Sequence, residues 1–395
     1  MLGTLLEVAN KIAVSRGSWD DDGVDQLHHI VSVALFAALG VAVGAKQYVG
    51  DPIHCWTPAQ FAGSHHSYAE GYCWISHMYY VPMDDPIPFK VEDRFERDIS
   101  FYRWVAVMFL IQAVLFKVPN IIWKEVKTYS GINVQKIVRM ADEAMMSPPK
   151  DRVGKIDNIG HFIDRWLVTY RVYKYNILIR MREKISGILC FVLGKRHGTF
   201  LTGLYLFCKF LNVCNCIGQF FLMTRFLGWN FWSYGFEIMN VLNSKGHWED
   251  WEHFPRVAMC DFDIRQQQNI QRYSVQCALS INLFVEKMYA FAWFWMIFLM
   301  CATIVNFGKW VFDIFFRRRR EQFVAKYIGL ADVADDSHEK KLFKKFVSHY
   351  LRDDGVFLLR SVRNNTGHIV ALDLVNNLWN RFKDQHLGKE DGILK

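Results

Sequence analysis

The segment MYAFAWFWMIFLMCATIVNF, residues 288 to 307, runs for 20 residues without a charged side chain. A helix rises about 1.5 Å per residue, so a helix of this length covers the roughly 30 Å apolar thickness of a lipid bilayer. The segment therefore predicts a transmembrane helix. It lies within a longer apolar stretch, 284–312.

Three further segments have the same character, at 28–48, 101–123 and 199–223. The whole chain has 395 residues, of which 52% are hydrophobic and 16% aromatic, above the average for globular proteins. The segment at 101–123 can span if Arg103 and Lys117 extend towards opposite interfaces. Four such segments favour a membrane protein over the alternative, a large soluble protein with a buried core.

The third segment carries polar residues at three- to four-residue spacing, a spacing that places them along one stripe of a helix. Because polar groups are costly in lipid, we expect this stripe to face other helices. Its members are Lys209, Asn212, Asn215 and Gln219.

The distribution of Lys and Arg predicts the orientation in the membrane. The loop 120–197 and the tail 313–395 carry fifteen and sixteen of these residues, whereas the loops 49–100 and 225–280 carry three and five. By the positive-inside rule, both termini are cytoplasmic and the two poorer loops are extracellular. The formal net charge of +8 follows from the same rule and does not indicate nucleic-acid binding.

With this orientation, the four extracellular cysteines are Cys55, Cys73, Cys260 and Cys277, two in each outer loop. An even set in an oxidising compartment predicts two disulfides, with three pairings that remain open. A zinc site built from Cys55, His65, His66 and Cys73 is the less favoured alternative, because it would leave the other two cysteines unpaired. We expect no metal.

The predicted fold class is an all-α membrane protein, with disulfide-tied outer loops that contain short strands at most and a helical cytoplasmic dome. Helical periodicity supports inner helices at 131–146, 160–185 and 338–351. The predicted organisation is an N-terminal helix (1–27), span one (28–48), outer loop one (49–100), span two (101–123), an inner loop (124–198), span three (199–223), outer loop two (224–283), span four (284–312) and a C-terminal region (313–395).

No motif for catalysis or cofactor binding is present, so the sequence predicts neither an enzyme nor a cofactor. The intramembrane charges Lys209, Glu286 and Lys287 are candidate functional residues, although structural ion pairing is the favoured role. A basic run follows span four and is a candidate contact for anionic lipid. It consists of Arg317, Arg318, Arg319 and Arg320.

The outer loops then show a resemblance to a known family. The motifs VGDPIHCW (49–56), YCW (72–74), YYVP (79–82) and HFPRVAMCDF (253–262) resemble those of the innexins, the invertebrate gap-junction family related to the pannexins. FYRWV (101–105), FAWFW (291–295) and LRDDGVFLLR (351–360) extend the resemblance into the spans and the tail. Ala106 stands where the family usually has a proline.

The resemblance implies a plasma-membrane subunit of a large-pore channel at cell–cell junctions. It implies that the subunits form homo- or hetero-oligomers, which are octameric hemichannels. Each hemichannel would dock with a hemichannel of the adjacent cell and pass ions and small metabolites. It also implies that the N-terminal helix folds into the pore. Candidate pore-lining residues are Thr4, Glu7, Lys11, Asp20, Asp21 and Asp22.

Two alternatives stay open. One is an undocked, pannexin-like hemichannel, which a glycan on an outer loop would favour; the one Asn-x-Ser/Thr sequon, at Asn364, lies in the predicted cytoplasmic tail. The other is a four-span adhesion protein without a pore. For the N-terminal helix itself, the alternative is a position on the inner membrane surface.

Overall fold

The computed structural model describes residues 21–95, 97–169, 198–246, 248, 250, 253–328 and 337–393. Within them, four helices are long and apolar enough to cross a membrane. They are span one (Gly23–Val49), span two (Phe101–Ser130), span three (Phe200–Leu227) and span four (Ser280–Phe315). The mostly helical, four-span fold class is thereby confirmed.

The helices are longer than the apolar segments that predict them. Span four, for example, continues from Ser280 to Phe315, whereas the apolar run ends at 312. Hydropathy marks only the part of a helix that suits lipid. The helix extends beyond that part at both ends in spans one and four, and at the C-terminal end alone in spans two and three. Span one also contains a π-helical stretch, Leu27–Ser32.

Outside the spans, the described residues form nine α-helices, one π-helix (Phe346–Leu351) and four strands. The helices are α1 (Gly63–Ile75), α2 (Val91–Phe95), α3 (Val134–Met145), α4 (Pro149–Thr169), α5 (Tyr234–Lys245), α6 (Arg317–Ile328), α7 (Ser337–Lys345), α8 (Arg352–Thr366) and α9 (His368–Ile393). The strands are β1 (His54–Trp56), β2 (Met78–Tyr79), β3 (Val257–Gln266) and β4 (Asn269–Ala278).

The chain forms two compact units. The described residues of the first fall within Ile30–Phe116 and Asn215–Met300. It contains the two outer loops and one four-stranded antiparallel sheet in the order β1-β4-β3-β2. Loop one supplies the two short outer strands and loop two supplies the central pair, so neither loop forms the sheet without the other.

The strands of loop two correct the sequence prediction. Short strands at most were expected, but β3 and β4 are ten residues each and pair along their whole length. The turn between them is Gln267-Gln268, with Gln267 at φ 54°. The sequence lacks the Asn-Gly or Asp-Gly pair that usually marks a tight hairpin, which is why the hairpin was missed.

Within the first unit, a small residue of span one allows the span helices to approach closely. A Cβ atom added at Gly40 would lie 3.1 Å from the backbone oxygen of Ala106 and 3.2 Å from the side chain of Leu110. Next to this contact, the ring of Phe36 packs 6.1 Å from that of Phe109, which in turn lies 5.1 Å from Tyr289. Spans one, two and four are therefore packed together here.

The second unit contains the remaining helices and the other halves of the spans. Its core is apolar and includes the middle of α8, where Val356, Phe357 and Leu358 are buried. A Cβ atom added at Gly355 would lie 3.5 Å from Leu167 of α4. This part of the LRDDGVFLLR motif is therefore packed against the inner-loop helix α4, within the helical dome that the sequence predicts.

Helix α4 begins earlier than predicted. Periodicity suggested a start at residue 160, but the helix starts at Pro149. Proline suits the first turn of a helix, because that position needs no backbone N–H donor and the proline φ angle is already helical. The predicted continuation to residue 185 lies outside the described residues.

Candidate functional site

Two disulfides tie the outer loops to each other. Cys55 of β1 lies opposite Cys277 of β4 in the sheet and is bonded to it, and Cys73 of α1 is bonded to Cys260 of β3. All four residues are buried. The bridges close chain separations of 222 and 187 residues, so each one joins loop one to loop two.

This pairing leaves no thiolate for the alternative zinc site. Three of the sulfur atoms, those of Cys55, Cys73 and Cys277, lie within 4.8 Å of one another, but each belongs to a disulfide. Of the two candidate histidines, His65 accepts a hydrogen bond from the backbone N–H of Ala62, and His66 lies 3.4 Å from Glu70. These histidines contribute to the local structure of α1.

A polar cluster around Asp261 of β3 adds a further connection between the loops. Its carboxylate is 2.5 Å from the guanidinium of Arg94 and accepts hydrogen bonds from the hydroxyls of Tyr79 (3.1 Å) and Ser274 (2.6 Å). Burial, and then the nearby Asp261 carboxylate, raises the pKa of Tyr79 to about 12. The phenol is therefore protonated and donates its hydrogen bond at neutral pH.

The sequence predicts Glu286 and Lys287 as intramembrane charges. The structure places them near the start of span four, in contact with loop two. Glu286 is fully buried, with its carboxylate 3.0 Å from Lys287 and 3.4 Å from Arg256. Lys287 also lies 3.8 Å above the ring of Trp248. These contacts join span four to outer loop two and fit the structural role that the sequence favoured.

In the second unit, Lys209 of span three is the centre of a buried polar network. The side chain is 2% exposed, and its ammonium lies 2.9 Å from Asp25, 3.2 Å from Asp22 and 2.8 Å from Asn306 of span four. The side chain of Asn212, on the same stripe of span three, donates to Asp25 at 3.4 Å. The expected inward orientation of the stripe is confirmed for Lys209, Asn212 and Gln219, which are buried.

Asp22, a candidate pore residue, is held by this network at the start of span one. It accepts hydrogen bonds from Asn306 at 2.7 Å and from the indole of Trp310 at 3.1 Å. Burial acts to raise the pKa of Asp22, but the Lys209 ammonium and these hydrogen bonds outweigh it and hold the pKa below the ordinary value. Asp22 is therefore an anion at neutral pH.

Asp21 is buried, and its carboxylate lies 3.1 Å from His29. A buried carboxylate does not face a water-filled pore, so this candidate is not carried into the proposed pore lining. The neighbouring His28 lies 2.6 Å from the Thr303 hydroxyl of span four. Four other candidates, Thr4, Glu7, Lys11 and Asp20, lie outside the described residues.

Asp354 is a structural residue that the sequence reasoning missed. It belongs to the LRDDGVFLLR motif on α8, yet its side chain accepts hydrogen bonds from both the backbone N–H and the hydroxyl of Thr202, each at 2.9 Å. Thr202 lies in the first turn of span three, whose N–H groups have no partner within the helix. Burial raises the pKa of Asp354, against the effect of these hydrogen bonds. The only sequence signal is an acidic pair in an otherwise apolar motif.

The basic run after span four is divided among different contacts. Arg317 lies 3.0 Å from Glu321, Arg320 forms an ion pair with Asp353, and Arg319 lies 5.1 Å from the ring of Phe312. Arg318 is exposed. Lipid contact by this run stays a prediction; among the described residues, Arg318 and Arg319 are its two members without an ion pair.

These features together define a class of protein: a four-span membrane protein in which two disulfides join the outer loops and the start of span one is anchored to spans three and four. Comparison with known proteins agrees. The family model for Innexin matches residues 21–382. The chain is 35% identical to Innexin unc-9 of Caenorhabditis elegans over 370 residues, 94% of each chain.

Two further relatives from the same organism are similar. Innexin eat-5 is 31% identical over 93% of this chain and 88% of its own length, and Innexin-16 is 31% identical over 96% and 94%. The chain belongs to the innexin family, whose members are channel proteins that form the subunits of gap junctions. The protein is therefore a gap-junction channel subunit.

Proposed function

We propose that the protein assembles into an octameric ring in the plasma membrane, with both termini in the cytoplasm, and that the ring docks with one in the adjacent cell. The observation that carries this proposal is the construction of the outer sheet. Loop one and loop two are joined by two disulfides, by the Arg94–Asp261 ion pair and by strand pairing. A surface held in this way changes little on binding, which favours specific association.

The exposed end of the β3–β4 hairpin is the proposed docking element. Residues 265 to 272 are all exposed, and they include the apolar side chain of Ile270, which is 61% exposed. The partner is a second copy of the chain in the opposing membrane. Backbone and amide groups of the glutamine-rich tip supply hydrogen bonds, and Ile270 supplies apolar contact area.

A glycan placed on the hairpin tests both orientation and docking. Asn269 is followed by Ile270 and Gln271, so Gln271→Thr creates a glycosylation sequon at the tip. We expect the variant to gain an enzymatically removable glycan, to keep hemichannel currents in single cells, and to lose junctional current between paired cells. The double variant Asn269→Gln/Gln271→Thr, which lacks the sequon, should retain coupling.

Three outcomes would count against parts of this proposal. A variant that reaches the cell surface without a glycan would place the hairpin on the cytoplasmic side. Unchanged junctional current in the glycosylated protein would remove the hairpin from the docking surface. Hemichannel currents without any junctional current in the wild type would favour the undocked hemichannel.

The proposed conduction path includes the N-terminal segment. Several copies of Glu7 around one axis would form a ring of carboxylates, which favours cations, with Thr4 and Lys11 on the same face and Asp20 and Asp22 nearer span one. We expect Glu7→Lys to move the reversal potential in a salt gradient towards that of anions, and Glu7→Gln to have a smaller effect in the same direction. An unchanged reversal potential in both variants would place this helix outside the path.

A further inference from the structure

A cavity of about 440 Å³ lies in the second unit, at the C-terminal end of span four. Four cations line it: Lys309 of span four, Arg319 of α6, and Arg360 and Arg363 of α8. Two carboxylates, Asp22 and Asp313, also line it. The cations therefore converge from three separate helices on one pocket that is open on one side.

The charges in this cavity do not balance. Four cations against two carboxylates leave two positive charges. Asp313 is ion-paired with Arg360 at 2.8 Å, and Asp22 with Lys209 at 3.2 Å. Among the residues that the structure describes, Lys309, Arg319 and Arg363 have no carboxylate partner, so no ion pair neutralises their charge. Arg319 lies over the Phe312 ring and Arg363 hydrogen-bonds the Tyr327 hydroxyl.

Arg360 shows that the site is built into the fold. The residue is 8% exposed, its guanidinium lies 5.0 Å from the ring of Phe323, and its Nε–H has no hydrogen-bond partner among the described residues. A buried donor without a partner is costly, and such a group is often satisfied by a bound ligand or ion. Burial lowers the pKa of Arg360; Asp313 opposes this shift, and the neighbouring Arg363 and Arg319 add to it.

We propose that this cavity binds a phosphate group, carried either by a phosphorylated lipid headgroup or by a soluble phosphate ester. A phosphate monoester carries up to two negative charges, so it can pair with two of the three lining cations that have no carboxylate partner among the described residues. Guanidinium groups bind phosphate through paired N–H···O hydrogen bonds, so a site rich in arginine favours phosphate over a single carboxylate. The volume lies in the range of small-molecule sites and leaves room for a headgroup ring beside the phosphate.

The position of the cavity suits either source. It lies beside the last turns of a membrane-spanning helix, where headgroups of the adjacent leaflet are within reach, and it is lined by exposed cations that a soluble ester can also approach. The neighbouring Arg318 is exposed and does not line the cavity, so it provides a control of equal charge on the same helix as Arg319.

The test uses the purified full-length protein in nanodiscs of neutral lipid at constant ionic strength. One arm titrates inositol trisphosphate and measures the dissociation constant by calorimetry. The other arm incorporates phosphatidylinositol bisphosphate, with phosphatidylserine as the comparison lipid, and measures retained lipid by native mass spectrometry. Arg363→Gln and Lys309→Gln are the test variants, with Arg319→Gln as a replacement for either that does not fold, and Arg318→Gln is the control.

We expect saturable binding in at least one arm, weakened about tenfold or more by each test variant and unchanged in the control, because each removed cation loses charge-assisted hydrogen bonds. Binding of the soluble ester would show that the headgroup alone is sufficient, and binding of the lipid alone would assign the site to the membrane. No saturable binding in either arm, or an equal loss in Arg318→Gln, would overturn the proposal. Neither result depends on whether hemichannels dock.

Discussion

Cys55 and Cys277 lie directly opposite each other on β1 and β4, and their disulfide joins positions 222 residues apart in the chain. The second bridge, Cys73–Cys260, joins the same two loops. The outer face is thus a single covalently linked structure assembled from loops that follow different spans.

The first prediction concerns the pairing of these cysteines. Cys55→Ser should lower the free energy of unfolding of the outer loops by about 2–5 kcal/mol, the usual cost of losing a native disulfide in a small extracellular domain. Less of the protein should then reach the cell surface. The double variant Cys55→Ser/Cys277→Ser should behave like the single one, because both lose the same bridge. Cys55→Ser/Cys73→Ser, which removes both bridges, should be worse.

Surface biotinylation and junctional current in paired cells provide the measurements, and Cys301→Ser is the matched control, because Cys301 is free. If Cys55→Ser/Cys277→Ser were as damaging as Cys55→Ser/Cys73→Ser, the pairing described here would be wrong.

The second prediction concerns the anchor of span one. Lys209→Met leaves Asp22 and Asp25 without their shared cation, and removing one partner of a buried ion pair costs about 3–5 kcal/mol. We expect a lower thermal unfolding midpoint in detergent, partly restored by Asp22→Asn and Asp25→Asn in the same chain. Lys309→Met, at an exposed lysine of span four, should change the midpoint little. Equal effects of the two lysine variants would contradict the role of Lys209.

The third prediction concerns the cap on span three. Asp354→Ala removes the acceptor for the Thr202 N–H and hydroxyl and should cost about 0.5–2 kcal/mol, as for other helix caps. The neighbouring Asp353→Ala breaks a more exposed ion pair and should cost less, about 0–1 kcal/mol. The measurement is the thermal unfolding midpoint of each variant. A larger decrease for Asp353→Ala than for Asp354→Ala would rule out the cap.

The sequence predicts a large part of this structure because bilayer thickness and the need to satisfy polar groups act on local segments. The four spans follow from uninterrupted apolar runs, and the inward stripe through Lys209 follows from helical spacing. The disulfide pairing and the Asp354–Thr202 contact could not be predicted from spacing. They join residues 222 and 152 positions apart, and only the folded chain brings those positions together.

The fourth prediction compares two glycines on α4. A Cβ atom at Gly160 would lie 2.2 Å from the side-chain oxygen of Asn377, whereas a Cβ atom at Gly154 would have nothing within 4 Å. Gly154→Ala should stabilise the protein by about 0.5–1 kcal/mol through helix propensity alone. Gly160→Ala should lose that gain, because Asn377 must turn away from its 2.9 Å hydrogen bond to Asp157. Equal unfolding midpoints for the two variants would refute the α4–α9 packing.

The fifth prediction is that Asp22 and Asp354 respond to pH in opposite directions. Folding lowers the pKa of Asp22 below 3.8, the value in the unfolded chain. Its contribution to stability is therefore present above pH 3.8 and is lost as the pH falls towards the pKa of Asp22 in the folded state. The pKa of Asp354 is raised, so its contribution is present below 3.8 and is lost as the pH rises through the raised value.

The measurement is the difference in unfolding midpoint between the wild type and each variant. On acidification, the difference from Asp22→Asn should decrease, and the difference from Asp354→Asn should increase. Parallel changes in the two differences would show that one of the assigned environments is wrong.

The central claim is that the chain forms channels between cells, and junctional conductance between two cells that express it measures this most directly. In dual whole-cell recordings of paired cells that lack other gap-junction proteins, we expect a junctional current, with transfer of a small dye, only when both cells express the protein. The same recordings should show no coupling when one cell expresses Cys55→Ser/Cys73→Ser. Robust surface expression in both cells without junctional current or dye transfer would contradict the claim.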